Sequence, residues 1–241
     1  MLTPELILYV NGVLFVAASL LLLAGFGFMM LAVPALVIVL PPQVVVPMLM
    51  MVWLPMGVVL IWSMRKDIDG RILLGFSLPA LLGIPVGAVL LRDADAVVMQ
   101  RVIGALMILL AIVLQLKPGA PIQREGPFRT AAGALSGLQA ASTSVAGPFV
   151  VLLGLKQRWD PDMFRATLVA FFFVVSIASL PFYWQMDLLS RGTSELAVTS
   201  LPGVAAGYAT GAWLKRRVSI EAFRWVAVGV VAGGGLVAVL F

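Results

Sequence analysis

The sequence predicts an all-α polytopic membrane protein made of two inverted repeats. Each repeat is a broken or re-entrant helical element followed by three transmembrane helices. Three observations predict this. The 241 residues are 62% apolar and 11% charged, with a mean hydropathy of +1.10, whereas a soluble domain carries about a quarter charged residues. Apolar runs of about 20 residues, the length that crosses a bilayer, alternate with short polar loops. The glycine, proline and arginine landmarks of the first half return in the same order in the second.

The elements follow in order. Residues 4–40 are apolar, interrupted by Asn11, Ser19 and a break at Gly25 and Gly27. Residues 41–43 (Pro-Pro-Gln) read as a turn, 44–64 as a span with Pro47 and Pro55, and 65–71 as a polar loop. Spans at 72–91 and 96–116 flank a short loop, and 117–129 is the longest polar connection. Its Pro and Gly content marks the boundary between halves. The whole of 1–241 is one transmembrane domain, with repeats at 1–117 and 128–241. In the second half a broken element covers 130–155, spans cover 163–184, 196–214 and 220–241, and loops lie at 156–162, 185–195 and 215–217.

The repeat rests on ordered landmarks. Leu78, Pro79, Gly83 and Gly87 are echoed by Leu201, Pro202, Gly207 and Gly211, Pro34 by Pro148, Trp62 by Trp184, and Arg101 by Arg224. Charge decides the topology. If each broken element enters the membrane and returns, Arg65, Lys66, Arg71, Lys117, Arg124, Arg129, Lys156, Arg158, Arg165, Lys215, Arg216, Arg217 and Arg224 share one side. Arg92, Arg101 and Arg191 then lie opposite, 13 against 3 of the 16 basic residues. A single crossing by each broken element splits the charges instead. The positive-inside rule therefore selects the returning arrangement, with inverted halves and both termini outside. The short arms of the second hairpin predict a re-entrant or broken element rather than two full spans.

The centre of the second broken element carries the polar residues. Gln139, Ser142, Thr143, Ser144, Gly147 and Pro148 lie in an otherwise apolar run. Irregular backbone at membrane depth is tolerated only where protein or a water-filled cavity covers it, and broken helices build transporter sites. Free N–H groups at a half-helix start, with hydroxyl and amide donors, suit a small anion. Gly25 and Gly27 would let backbone approach the same ligand from the other half. The other reading is also open: small residues allow close packing, and Ser and Thr bond their own helix carbonyls. Arg165 is an ionisable group near apolar sequence. It follows Asp160 and Asp162 and could pair with either, and near a span end an arginine can also snorkel to the interface. Most of the six tryptophans sit near span ends, as interface anchors do, while Trp53 is interior enough to line a cavity.

The absences narrow the classes. There is no Cys and no His, and all 11 acidic residues fall in loops or at span edges. No metal-ligand cluster, nucleophile–base pair or carboxylate relay is expected, so neither an enzyme nor a cofactor is. The basic residues are dispersed rather than striped, which argues against a nucleic-acid partner.

The ordered set of motifs resembles the TauE/SafE family of sulfite and organosulfonate exporters. Gly25, Gly27, Val33 and Pro34 resemble its first glycine-rich motif. Gly137, Gly147 and Pro148 resemble the second, and the two Leu-Pro segments resemble the third. Phe28 and Met29, and again Ser142 to Ser144, stand where the family has denser glycine. The resemblance implies a secondary transporter for sulfite, an organosulfonate or a related sulfur-containing or carboxylate anion. It would work across the bacterial inner membrane by alternating access, with the broken elements meeting near the midplane. Gln139, Ser142, Thr143, Ser144, Gly147, Pro148, Gly25, Gly27, Pro34 and Arg165 are the candidate binding residues. The expected partners are that anion and membrane lipids, and a homo-oligomer is open. A passive anion channel and a non-transport scaffold are the rival readings.

Overall fold

A computed structural model describes residues 3–24, 27–115, 125–145 and 147–214. Among them the chain is helical, without strands: α1 Pro4–Ala24, α2 Phe28–Val37, α3 Pro42–Met64, α4 Gly70–Asp93, α5 Ala96–Gln115, α6 Glu125–Thr143, α7 Gly147–Lys156, α8 Pro161–Gln185 and α9 Arg191–Leu214. Four segments are long and apolar enough to cross a membrane: Pro4–Leu22, Pro42–Met64, Gly70–Asp93 and Pro161–Gln185. The chain is a polytopic α-helical membrane protein. The expected last span at 220–241 lies outside the described residues.

The helices begin earlier than the hydropathy pattern places them, because the loops supply their caps. Asp69 accepts hydrogen bonds from the Arg71 and Ile72 N–H groups at 2.8 and 3.1 Å. Asp95 caps α5 through the Val97 and Val98 N–H groups, and Asp160 caps α8 through those of Asp162 and Met163. An N-cap carboxylate satisfies otherwise orphaned first-turn donors. Pro42 and Pro161 each stand first in their helix, where the missing N–H has no consequence. The expected turn at 41–43 is therefore corrected: only Pro41 lies outside α3. The 117–129 connection is shorter than expected, since α6 already includes Glu125 to Arg129. An i,i+4 contact of 3.9 Å between those two side chains supports that first turn. The 185–195 loop likewise ends at Ser190, whose hydroxyl caps α9 through Thr193 N–H.

Both broken elements fold back on themselves. The Tyr9 hydroxyl donates to Ala35 O at 2.7 Å, so the end of α2 lies beside the start of α1. Gln100 near the start of α5 donates to Val37 O, and Gln43 to Ala94 O. The α2–α3 and α4–α5 connections thus share one end of the molecule. At the other end Trp159, just past α7, stacks edge-on against Phe76, with ring centroids 5.9 Å apart. The Phe76 carbonyl abuts Gly133 in the first half of α6. The α7 helix therefore runs back alongside α6 and ends near the level of Gly133, about halfway along it.

The arms are unequal, which differs from the short arms expected of the second hairpin. The 19 residues of α6 span about 28 Å at 1.5 Å per residue, while the ten of α7 span about half of that. The first element has the same form, 21 residues followed by ten.

Glycines set the two closest helix pairs. A Cβ on Gly83 or Gly87 in α4 would fall 2.1 or 2.2 Å from the Ala134 or Leu138 carbonyl of α6. Reciprocally, Gly133 and Gly137 of α6 lie against the Phe76 and Ala80 carbonyls of α4. In the other pair Gly203, Gly207 and Gly211 of α9 lie against the Asn11, Phe15 and Ser19 carbonyls of α1. In each pair the contacts advance together along both chains, so the helices run parallel. Small residues let backbones approach in this way where lipid supplies no hydrophobic drive. Asn11 and Ser19 add bonds across α1–α9, to Thr199 O, Gly203 N–H and Gly207 O. The α3 helix packs along α8 between these pairs, joined by a Trp53–Phe172 contact of 6.0 Å and a Ser176 hydroxyl to Met50 Sδ contact of 3.0 Å.

Candidate functional site

The second break is built from its own hydroxyls. The Thr143 and Ser142 hydroxyls both donate to Gln139 O, at 2.7 and 3.2 Å. Ser144 takes the left-handed conformation, with φ of 57°. Its N–H still bonds Ala140 O at 2.8 Å, and its hydroxyl crosses to Val46 O of α3 at 3.2 Å. The Thr143 oxygen accepts from Val145 N–H at 3.3 Å, and the Tyr183 hydroxyl of α8 donates to Ala141 O at 2.7 Å. Two of the carbonyls that the helix C-terminus leaves open, those of Ala140 and Ala141, are thus satisfied by protein. The three hydroxyls, expected as anion donors, are engaged with backbone. Gly147 and Pro148 open α7, and their side chains lie outside the described residues.

Gln139 is the exception. It is 4% exposed, and neither its amide oxygen nor its amide nitrogen has a hydrogen-bond partner. Ser136, one turn earlier on the same stripe of α6, is fully buried and equally unpartnered. The stripe of Ser136, Gln139 and Thr143 lies on the side of α6 turned away from the α4-facing glycines, by helical spacing. Thr167 of α8, Ser77 of α4 and the Trp53 indole N–H of α3 are also buried without partners. Buried polar groups are nearly always hydrogen-bonded, and this set sits inside a membrane bundle. The spacing of Ser136 from Gln139 was readable from sequence; the unpaired state of Thr167 and Ser77 was not.

The first break presents a different surface. Gly27 has φ of 110°, a conformation that favours glycine, and it precedes α2 without a side-chain cap. Phe28 follows, buried, its ring 5.8 Å from Trp53. Gly25 lies outside the described residues. Pro34 is buried in the interior of α2, whereas Pro148 is second in α7. The expected Pro34–Pro148 match is therefore out of register, and Pro34 stands away from the break.

Both breaks abut α3 but at different heights. The second meets it at Val46 and the first at Trp53, seven residues or about 10 Å apart along one helix face. The second break thus lies one turn from the start of α3 rather than at its middle. Arg165 is half-buried and stands 3.9 Å from Asp162. It lies seven residues before Phe172, and so on the same face of α8 as the Trp53 contact. The structure joins the second break to α3 through Ser144 and to α8 through the Ala141 carbonyl, while the Ser142 and Thr143 hydroxyls bond back to Gln139 O within α6. Gly27 is grouped with Trp53 and Phe172 instead.

Two broken helical hairpins, braced by glycine-packed parallel helices and holding buried unpaired polar groups, define a polytopic α-helical membrane protein. The match to known proteins narrows this. The family model described as sulfite exporter TauE/SafE matches residues 10–238, and the chain belongs to that family. No curated protein and no solved structure matches the chain.

Proposed function

We propose that the protein is a secondary transporter that moves sulfite, an organosulfonate or a related small anion across the bacterial inner membrane by alternating access. The observation that carries this reading is Gln139: a buried amide with both polar atoms unpaired, one turn before a helix break, in a chain of an anion-exporter family. A ligand that satisfies the amide removes a penalty of several kcal/mol that hydrocarbon surroundings would otherwise impose. Gln139 is the central binding residue. Ser142, Thr143 and Ser144 shape the break and reach the anion only by exchanging their carbonyl partners. The N-terminal N–H groups of α2 and α7, at Gly27 and at Gly147, supply positive dipole ends, and Pro148, which has no N–H to donate, sets the backbone of the first turn of α7. Gly25 and Pro34 shape the first element, and Arg165 attracts the anion from the basic side.

Two inverted halves suit this mechanism. Residues at a common offset occupy like positions: Ala24 and Thr143 end the long arms, Pro42 and Pro161 begin the following helices, and Trp53 and Phe172 touch each other. An element pair related to itself by the offset lies on the pseudo-two-fold axis. Rocking of one half about the Trp53–Phe172 contact would then open the site to either side. In this orientation the ends bearing Arg65, Arg129 and Arg158 face the cytoplasm, and both termini face outward.

The test is flux in proteoliposomes loaded with sulfite. Saturable efflux with counterflow by external sulfite is expected. Flux strictly proportional to the gradient would replace the transporter with a channel. Absence of flux for sulfite, isethionate and acetate alike would refute both.

A further inference from the structure

We propose that Gln139 selects monoanions that also carry a hydrogen-bond donor. A substrate that ionises near neutrality is accordingly carried in its monoprotonated form. This rests on the anion-transport reading above and says which anions that site takes.

The amide itself sets the preference. Its NH₂ group only donates and its oxygen only accepts. In Gln139 both ends are buried and both lack a partner. A fully deprotonated oxyanion can accept from the NH₂ but leaves the carbonyl oxygen unpaired. A ligand with an oxyanion face and one O–H satisfies both ends at once. A site built to bond a hydroxyl rejects the analogue that lacks it, because its own polar group is left stranded.

Charge points the same way. The cost of taking an ion out of water rises with the square of its charge and is already large for a single charge. Among the described residues no Lys or Arg is buried. Among the described residues a dianion would therefore meet no buried cation to offset its desolvation, whereas a monoanion needs only dipoles and donors. Ionisable groups on the elements packed against α6 are Arg71, Arg92 and Asp93 on α4, Lys156 on α7, and Asp162, Arg165 and Tyr183 on α8; α6 itself adds Glu125 and Arg129. Of these only Tyr183 is buried, and its hydroxyl already bonds Ala141 O. The chain has no His, and no Asp or Glu is buried among the described residues. A proton that crosses with the anion then travels on the substrate itself, held by the Gln139 oxygen.

The test compares two sulfonates matched in size. Isethionate carries a terminal hydroxyl, and 1-propanesulfonate carries a methyl group in its place. Binding to the full-length protein in detergent is read by thermal stabilisation. The wild type is expected to bind isethionate at least about tenfold more tightly. Gln139→Met keeps the length of the side chain and is expected to bind both anions weakly and alike. A second series needs no variant. With ligand-free protein as the reference at each pH, stabilisation per total sulfite is expected to fall as pH rises through the second ionisation of sulfite. Equal binding of the two sulfonates by the wild type, a preference that survives in Gln139→Met, or sulfite binding that holds or strengthens with pH would overturn the inference and leave anion transport standing. Failure of every anion to bind would overturn both.

Discussion

At the residue scale the second break is an exchange of hydrogen bonds. Ser144 adopts a left-handed backbone that disfavours any residue with a Cβ, and its hydroxyl anchors the strained turn to Val46 O. The two effects can be separated. Ser144→Ala keeps the strain and loses the bond, while Ser144→Gly loses the bond and relieves roughly 1–2 kcal/mol of strain. The glycine variant is therefore expected to unfold in detergent at a higher temperature than the alanine variant. The reverse order would mean that the left-handed turn is absent. Tyr183 offers a second measurement. Its replacement by Phe leaves the buried Ala141 carbonyl without its donor, and a loss of about 1–3 kcal/mol is expected in denaturant unfolding. An unchanged midpoint would show that the hydroxyl does not brace the break. Glutamine and hydroxyls inside an apolar run already marked this stretch in the sequence. Their division into paired hydroxyls and an unpaired amide depends on partners in other helices.

At the element scale, glycine spacing carries the packing. The Leu-Pro segments and their glycines were legible as a repeated motif, and the structure assigns each set to a parallel partner helix. Gly87 and Gly207 would each place a Cβ 2.2 Å from a backbone carbonyl oxygen, whereas Gly12 has nothing within 4 Å of that point. Gly87→Ala and Gly207→Ala are expected to destabilise the protein by about 1–3 kcal/mol through forced helix separation. Gly12→Ala is expected to be neutral or to stabilise by up to about 1 kcal/mol through helix propensity. Thermal unfolding of the three variants side by side checks this, and equal shifts would contradict the glycine-packed interfaces. Helix starts were misplaced by a few residues because hydropathy reports only the apolar run. The carboxylates of Asp69, Asp95 and Asp160 belong to the helices as caps, although their polarity reads as loop.

At the scale of the whole molecule, the returning hairpins decide which loops share a side. The Tyr9–Ala35 bond and the Trp159–Phe76 contact each bring the end of a short arm back alongside the first half of its long arm. The sequence has no cysteine, so single cysteines report topology directly. Cysteines replacing Lys66 and Arg158 are expected to react with a membrane-impermeant thiol reagent from the same side of the membrane. Those replacing Arg92 and Arg191 are expected to react from the other. Labelling of positions 66 and 158 from opposite sides would break the hairpin topology.

The sequence by itself determined the class of protein, the order of the apolar elements among the described residues, the two breaks and the family. Hydropathy, glycine spacing and charge placement act locally along the chain and leave a local pattern. Only the tertiary structure decided the arm lengths, the height of each break on α3, and which polar groups stay unpaired. Ser144 reaches an acceptor 98 residues away and Tyr183 one 42 residues away. Hydrogen-bond satisfaction is a property of neighbours in space, so the isolation of the Gln139 amide emerges only when α3, α6 and α8 pack together.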